Sequence, residues 1–126
     1  MKNKIIYYAH SMKIYGTKRE RKELKFLQEK FLKVINPSTD PKLQRNGSMS
    51  IYYDAVSESD ITVCSEYKNC IGKGVFYEIN VALDGGKKVY CMKKDGKSFK
   101  LVEVDRVEEY NNYDWSVEYG KVVIKE

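Results

Sequence analysis

The chain has 126 residues, enough for one hydrophobic core and too few for two independent ones, so a single domain spanning 1–126 is expected. Hydrophobic residues make up 42% and charged residues 33%, and no apolar run approaches the ~20 residues that cross a bilayer, which argues against a helical membrane protein. A net charge of +5 favours anionic partners, and a single histidine excludes a His-rich metal site.

Met1-Lys2-Asn3-Lys4 is basic, but the apolar stretch behind it ends at Ala9. That is shorter than the ~7–15 apolar residues of a secretory signal, so a cytoplasmic location is expected. Ile5-Ile6-Tyr7-Tyr8-Ala9 is a continuous apolar run, the pattern of a strand buried on both faces. A loop is predicted over 10–16. Thr17 and Glu20 then form a Thr-x-x-Glu capping box that opens a helix. Leu24, Leu27 and Phe31 make its apolar stripe, and its interleaved Lys and Glu side chains read as a solvated face.

Val34 and Ile35 centre a second strand, stopped at Asn36-Pro37 because proline lacks the amide that a ladder needs. The polar segment 38–50, with Pro41 and Gly47, is predicted to be a long loop and a candidate lid. A short helix over 51–59 and a strand over 60–64 come next. A helix over 72–84 puts Val75, Ile79, Ala82 and Leu83 on one face and ends at Gly85-Gly86, followed by a strand over 88–92. Asp95-Gly96 signals a hairpin, and Trp115 to Tyr119 followed by Val122 to Ile124 predicts a second one turning through Gly120. Cys64, Cys70 and Cys91 match neither a zinc nor a redox spacing and are read as reduced thiols.

Strands alternating with helices imply an α/β fold. The expected architecture is a flavodoxin/Rossmann-like parallel sheet of order 2-1-3-4 flanked by helices over 1–92. Residues 93–126 are read as a β-rich C-terminal extension that extends the sheet or mediates association. Its apolar Trp115, Tyr119 and Val122 to Ile124 predict a homo-oligomer, at least a dimer.

Ligands of open parallel sheets bind at the carboxyl ends of the strands. His10, Ser11, Lys13 and Gly16 lie in the loop expected there, which combines a hydroxyl, a cation and a helix amino terminus suited to phosphate. It lacks the Walker spacing. Asn36 ends the neighbouring strand, while Gly72 and Gly74 provide either a second set of amides or close packing. Glu78 falls between Val75 and Ile79, so its carboxylate is expected to project into the cleft, where it can attack an anomeric carbon. From the residues alone a surface or capping glutamate is the alternative, and Asp60 and Asp54 are either its partners or solvated cap residues.

The stretch Gly74-Val75-Phe76-Tyr77-Glu78-Ile79-Asn80-Val81-Ala82, followed by Gly86-Lys87-Lys88-Val89-Tyr90, resembles the nucleophile helix and following strand of the nucleoside 2-deoxyribosyltransferase-like superfamily, which includes the 2'-deoxynucleoside 5'-phosphate N-hydrolases. Ile6-Tyr7-Tyr8-Ala9-His10-Ser11 is similar to its first strand and sugar- or phosphate-binding loop, and Asp60-Ile61-Thr62-Val63 to the strand before its catalytic loop. The likeness covers about residues 4–93. Two positions depart from it: Gly72 stands where transferases of the family carry an aspartate, and Asn80 where a glycine is common.

The resemblance implies an N-glycosidase or glycosyl-transfer enzyme acting on a nucleoside, nucleotide or ADP-ribose-type compound. Glu78 would be the nucleophile, Tyr8 would orient it or the sugar, and Asp60 would assist. Ser11, Lys13, Gly16, Gly72 and Gly74 would hold hydroxyl or phosphate groups, with His10, Asn36 and Asp54 completing the ligand contacts. No metal or cofactor is expected. The partners expected are a small-molecule ligand and a second copy of the chain, not a membrane or nucleic acid. Eleven tyrosines and basic charge give a nucleic-acid-binding reading only generic support. The alternative is a non-catalytic protein that sequesters a nucleotide-derived ligand in the same cleft.

Overall fold

A computed structural model describes residues 2–45, 48–110 and 118–126. The elements are β1 (Ile5–His10), a 3₁₀ turn (Met12–Ile14), α1 (Lys18–Lys30), β2 (Lys33–Ile35), α2 (Pro41–Arg45) and α3 (Met49–Glu58). They continue with β3 (Ile61–Ser65), α4 (Lys73–Asp84), β4 (Lys88–Asp95), β5 (Ser98–Glu109) and β6 (Gly120–Ile124). Together they form a mixed α/β fold around a six-stranded sheet of order β2-β1-β3-β4-β5-β6. The first four strands run parallel, and β5 and β6 join antiparallel. Among the described residues, no helix is long and apolar enough to cross a membrane.

The side-chain period of two divides β1 between two cores. Tyr7 and Ala9 join Cys64, Val89 and Cys91 on the face packed by Val56 of α3 and by Val75, Ile79 and Ala82 of α4. Ile6 and Tyr8 join Val63 on the opposite face, against Leu27 of α1 and the neighbouring Phe31. Ile6, Tyr7, Tyr8 and Ala9 are all fully buried, so β1 is an interior strand covered on both faces in a three-layer packing.

Several expected details are corrected. Thr17 caps α1 by accepting the Glu20 amide at 3.2 Å, but the Glu20 carboxylate takes the Gly16 amide at 3.1 Å and not that of Thr17. Glu20 and Glu23 are buried, so that side of α1 is not a solvated face. The predicted 38–50 loop contains α2 and the start of α3. Leu43 is buried there, and the Asp40 carboxylate accepts the amides of Lys42 and Leu43. Gly47 and the lid reading's centre at 46–47 lie outside the described residues.

The hairpin at Asp95-Gly96 forms as a two-residue turn, with Gly96 at φ +61° where a side chain would be strained. β4 runs on to Asp95, so the division expected between 92 and 93 falls inside a strand. Gly120 does not turn a hairpin. It opens β6 opposite Glu109, and its amide and carbonyl exchange hydrogen bonds with Ile71, just before α4. Trp115 and Val117 of the predicted second hairpin lie outside the described residues.

Candidate active site

α4 opens at Gly72, which makes no side-chain cap, and lays one face on the sheet. Glu78 sits on that face between Val75 and Ile79 and is only 7% exposed. The Tyr7 hydroxyl of β1 donates a hydrogen bond to its Oε2. Burial drives the Glu78 carboxyl up to about 7, opposed by the Tyr7 hydrogen bond, which favours the charged form. Burial and then the Glu78 charge push up the hydroxyls of Tyr7, of Tyr15 beyond the 3₁₀ turn, and of Tyr53 on α3. Tyr52 acts on Tyr7 and Tyr15 in the same sense. The carboxyl is thus bonded to one phenol, Tyr7, and its charge is felt by those of Tyr15 and Tyr53 on two other chain segments. A group balanced near neutrality in such a setting serves as nucleophile or base when ionised and as acid when protonated.

The neighbouring tyrosine does something else. Tyr8 points to the α1 face and donates to Glu23 Oε1 at 2.5 Å. Glu23 Oε2 accepts in turn from Arg19 at 3.1 Å and from the Ser65 hydroxyl at 2.8 Å. The expectation that Tyr8 orients Glu78 is thus corrected to Tyr7, because consecutive strand residues face opposite sides. Asp60 stands just before β3, at its amino end, where its carboxylate accepts the Ile5 amide at 2.8 Å and ties two strand starts together. Asp54 is exposed on α3.

His10 is buried and stacked on Tyr8, with ring centroids 3.7 Å apart. Its Nδ1 lies 2.9 Å from the Tyr8 carbonyl and its Nε2 2.7 Å from Glu20 Oε2. Desolvation pushes the Glu20 carboxyl up, but hydrogen bonds from His10, the Gly16 amide and Ser38 outweigh it and hold the group below its ordinary range. This network engages the His10 ring and the Gly16 amide internally. Ser11 Oγ accepts the Lys13 amide at 3.1 Å, and the Lys13 side chain is exposed.

Asn36 is buried at the end of β2. Its Oδ1 accepts the Ser38 amide at 3.0 Å, while its Nδ2 is a buried donor without a hydrogen-bond partner among the described residues. A Cβ on Gly74 would meet nothing within 4 Å, so close packing does not require that glycine. Tyr7, Tyr15, Tyr52 and Tyr53 were not singled out from the sequence. Placing Val75 and Ile79 on the core face of α4 aims Glu78 at the sheet, and the odd-numbered residues of β1 are the ones it meets.

Tyr7→Phe removes the hydrogen bond that favours ionised Glu78, so the Glu78 carboxyl is expected to titrate higher still, by roughly one pH unit. Tyr8→Phe should leave that titration in place. Carboxyl carbon NMR on glutamate-labelled protein reads both, and equal shifts in the two variants would contradict the assignment of partners.

No family model, curated protein or solved structure matches the chain.

Proposed function

We propose that the protein is an N-glycosidase or glycosyl-transfer enzyme acting on a nucleoside, nucleotide or ADP-ribose-type compound, built on a flavodoxin/Rossmann-like core. The observation that carries this reading is the buried Glu78 carboxylate held at one oxygen by Tyr7, its charge felt by the phenols of Tyr15 and Tyr53. With Oε2 fixed, Oε1 attacks the anomeric carbon as the bond to the base breaks, and the base leaves with the electron pair and takes up a proton. Water or a second base then attacks the glycosyl ester and releases Glu78. Tyr15, Tyr52 and Tyr53 offer π-faces for a base or sugar, and Asn36 Nδ2 offers a donor for a hydroxyl or phosphate oxygen. Exposed Met12 and Met49, on the segments that carry Tyr15 and Tyr52, support cover by a second copy.

Incubation with a panel of nucleosides, nucleotides and ADP-ribose derivatives, followed by chromatography, tests the proposal. Release of free base or sugar is expected. Unchanged ligand recovered from a tight complex would transfer the reading to a sequestering protein; the glycine at position 72 in place of an aspartate weakens base exchange and fits a hydrolase, a different substrate or such a binder. Neither product nor complex would overturn both. The nucleophile must be ionised, so kcat/KM is expected to rise with pH through a midpoint near 7. A flat profile between about pH 6 and 8 would exclude Glu78 as the group that must lose its proton.

A further inference from the structure

We propose that a cavity on the α1 face of the sheet, opposite Glu78, is a separate site for a ligand bearing two or more phosphate groups. This inference does not rest on the reading of Glu78, which is absent from the cavity's lining. The cavity has a volume of about 500 Å³ and lies between α1, the segment after β3 and the β4–β5 hairpin. That is the size of a small-molecule site.

Its charge is strongly one-sided. Six cationic side chains line it, from Lys18, Arg19, Lys22, Lys68, Lys93 and Lys94, against the carboxylates of Glu23 and Glu66. Both carboxylates are engaged: Glu23 by Tyr8, Arg19 and Ser65, and Glu66 by Lys93 at 2.5 Å. Arg19 also donates to Ser65 and to the Glu66 carbonyl. Lys18, Lys22, Lys68 and Lys94 have no carboxylate partner among the described residues. They come from the first turns of α1, the segment after β3, and β4, so it is the fold that gathers their field into one concavity. The positive amino end of α1 adds to it.

The segment after β3 carries a second mark. Tyr67 and Cys70 exchange both backbone hydrogen bonds, at 2.9 and 3.0 Å, around Lys68 and Asn69. These two residues have φ of 53° and 63°. Such a mirror-image turn ordinarily takes Asn-Gly, and a lysine in the left-handed region is strained. Here the strained residue is one that lines the cavity. Met92 and Phe99 supply apolar lining, with Phe99 edge-on to Phe26 and Lys94 over its ring at 5.4 Å. Four unneutralised lysines distributed around such a volume exceed what one phosphate can contact, which points to a polyphosphate.

Calorimetric titration of the full chain with inorganic tripolyphosphate tests this. One saturable site is expected, weakened by added salt, with affinity at least tenfold lower in Lys22→Glu and in Lys94→Glu and unchanged in Lys33→Glu, which makes the same charge change at the far edge of the sheet. Lys68→Gly relaxes the turn, so it should fold at least as well and still bind more weakly. Glu78→Gln should bind tripolyphosphate like the parent; loss there would place the ligand in the other site and overturn the proposal. Absence of saturable binding, equal weakening in Lys33→Glu, or orthophosphate binding as tightly as tripolyphosphate would each overturn it too. So would an oligonucleotide that binds and is not displaced by tripolyphosphate, since that outcome assigns the surface to nucleic acid.

Discussion

Glu78→Gln is expected to lower turnover by several orders of magnitude while making the protein more stable above neutral pH. On the proposed function, the activity loss follows from removing the charge that would attack the anomeric carbon while keeping the side chain's shape and an oxygen for Tyr7 to donate to. The stability gain follows from the raised carboxyl. Below about pH 4.5 Glu78 is protonated in both folded and unfolded chains, and burial carries no charge penalty. Between 4.5 and about 7 the unfolded chain gives up the proton and the folded chain keeps it, so stability falls as pH rises. Above about 7 the full difference applies, on the order of 3 kcal/mol for a shift of that size. Glutamine carries no charge at any pH and escapes this loss. Denaturant unfolding at about pH 5 and pH 8 should therefore show the variant's advantage growing with pH. Retained turnover with every substrate the parent accepts would sink the nucleophile assignment, and a pH-independent stability difference would sink the buried ionisable carboxyl.

Gly120→Ala is expected to destabilise the fold by ~3 kcal/mol, as a small-to-large change at a site with no room. The new Cβ would sit 2.4 Å from the Glu108 carbonyl oxygen and 3.1 Å from the Phe76 ring. Backbone is the obstacle, and β6 cannot slide away because both polar groups of Gly120 are bonded to Ile71. Phe76 also packs on Tyr119, with ring centroids 5.0 Å apart, and lies two residues before Glu78 in α4. The strain therefore reaches the helix that carries the carboxyl. Gly74→Ala is the control: its Cβ enters open space in a helix, so it should be neutral or stabilise by up to ~1 kcal/mol. Urea unfolding compares the two, and a Gly120→Ala midpoint equal to that of the parent would show that β5 and β6 can separate freely.

Much of the fold was legible because local chemistry and tertiary position agree. The apolar run of β1, the Thr17 cap, the Gly85-Gly86 stop and the Asp95-Gly96 turn are each decided within a few residues. The choice between Tyr7 and Tyr8 was not. A strand buried on both faces shows no alternation of polar and apolar residues, so nothing in the run itself says which phenol meets which helix. Glu20 and Glu23 read as solvated because their buried partners, His10, Tyr8 and Ser65, come from strands β1 and β3, across a loop from the helix or far from it in sequence. α2 is five residues long and is held by tertiary burial of Leu43, which leaves no periodic signal. A lone glycine such as Gly120 reads as a turn when its real reason is the approach of a neighbouring strand. The basic cavity was invisible for a similar reason, since its lysines are scattered from position 18 to position 94.

The two adjacent tyrosines of β1 also govern how the sheet assembles. Tyr7 gives its hydroxyl to a carboxylate on one side of the sheet and Tyr8 to a carboxylate on the other. Moving β1 by a single residue against β3 would exchange the two sides and take from Glu78 the hydrogen bond that Tyr7 donates, while Glu23 would lose Tyr8 and keep Arg19 and Ser65. Burial alone does not oppose that slip, because Ile6, Tyr7, Tyr8 and Ala9 are all fully buried whichever face they point to. The paired phenols thus act as a two-sided key for β1, adding one hydrogen bond on each face to the apolar packing that holds it between the parallel strands on either side.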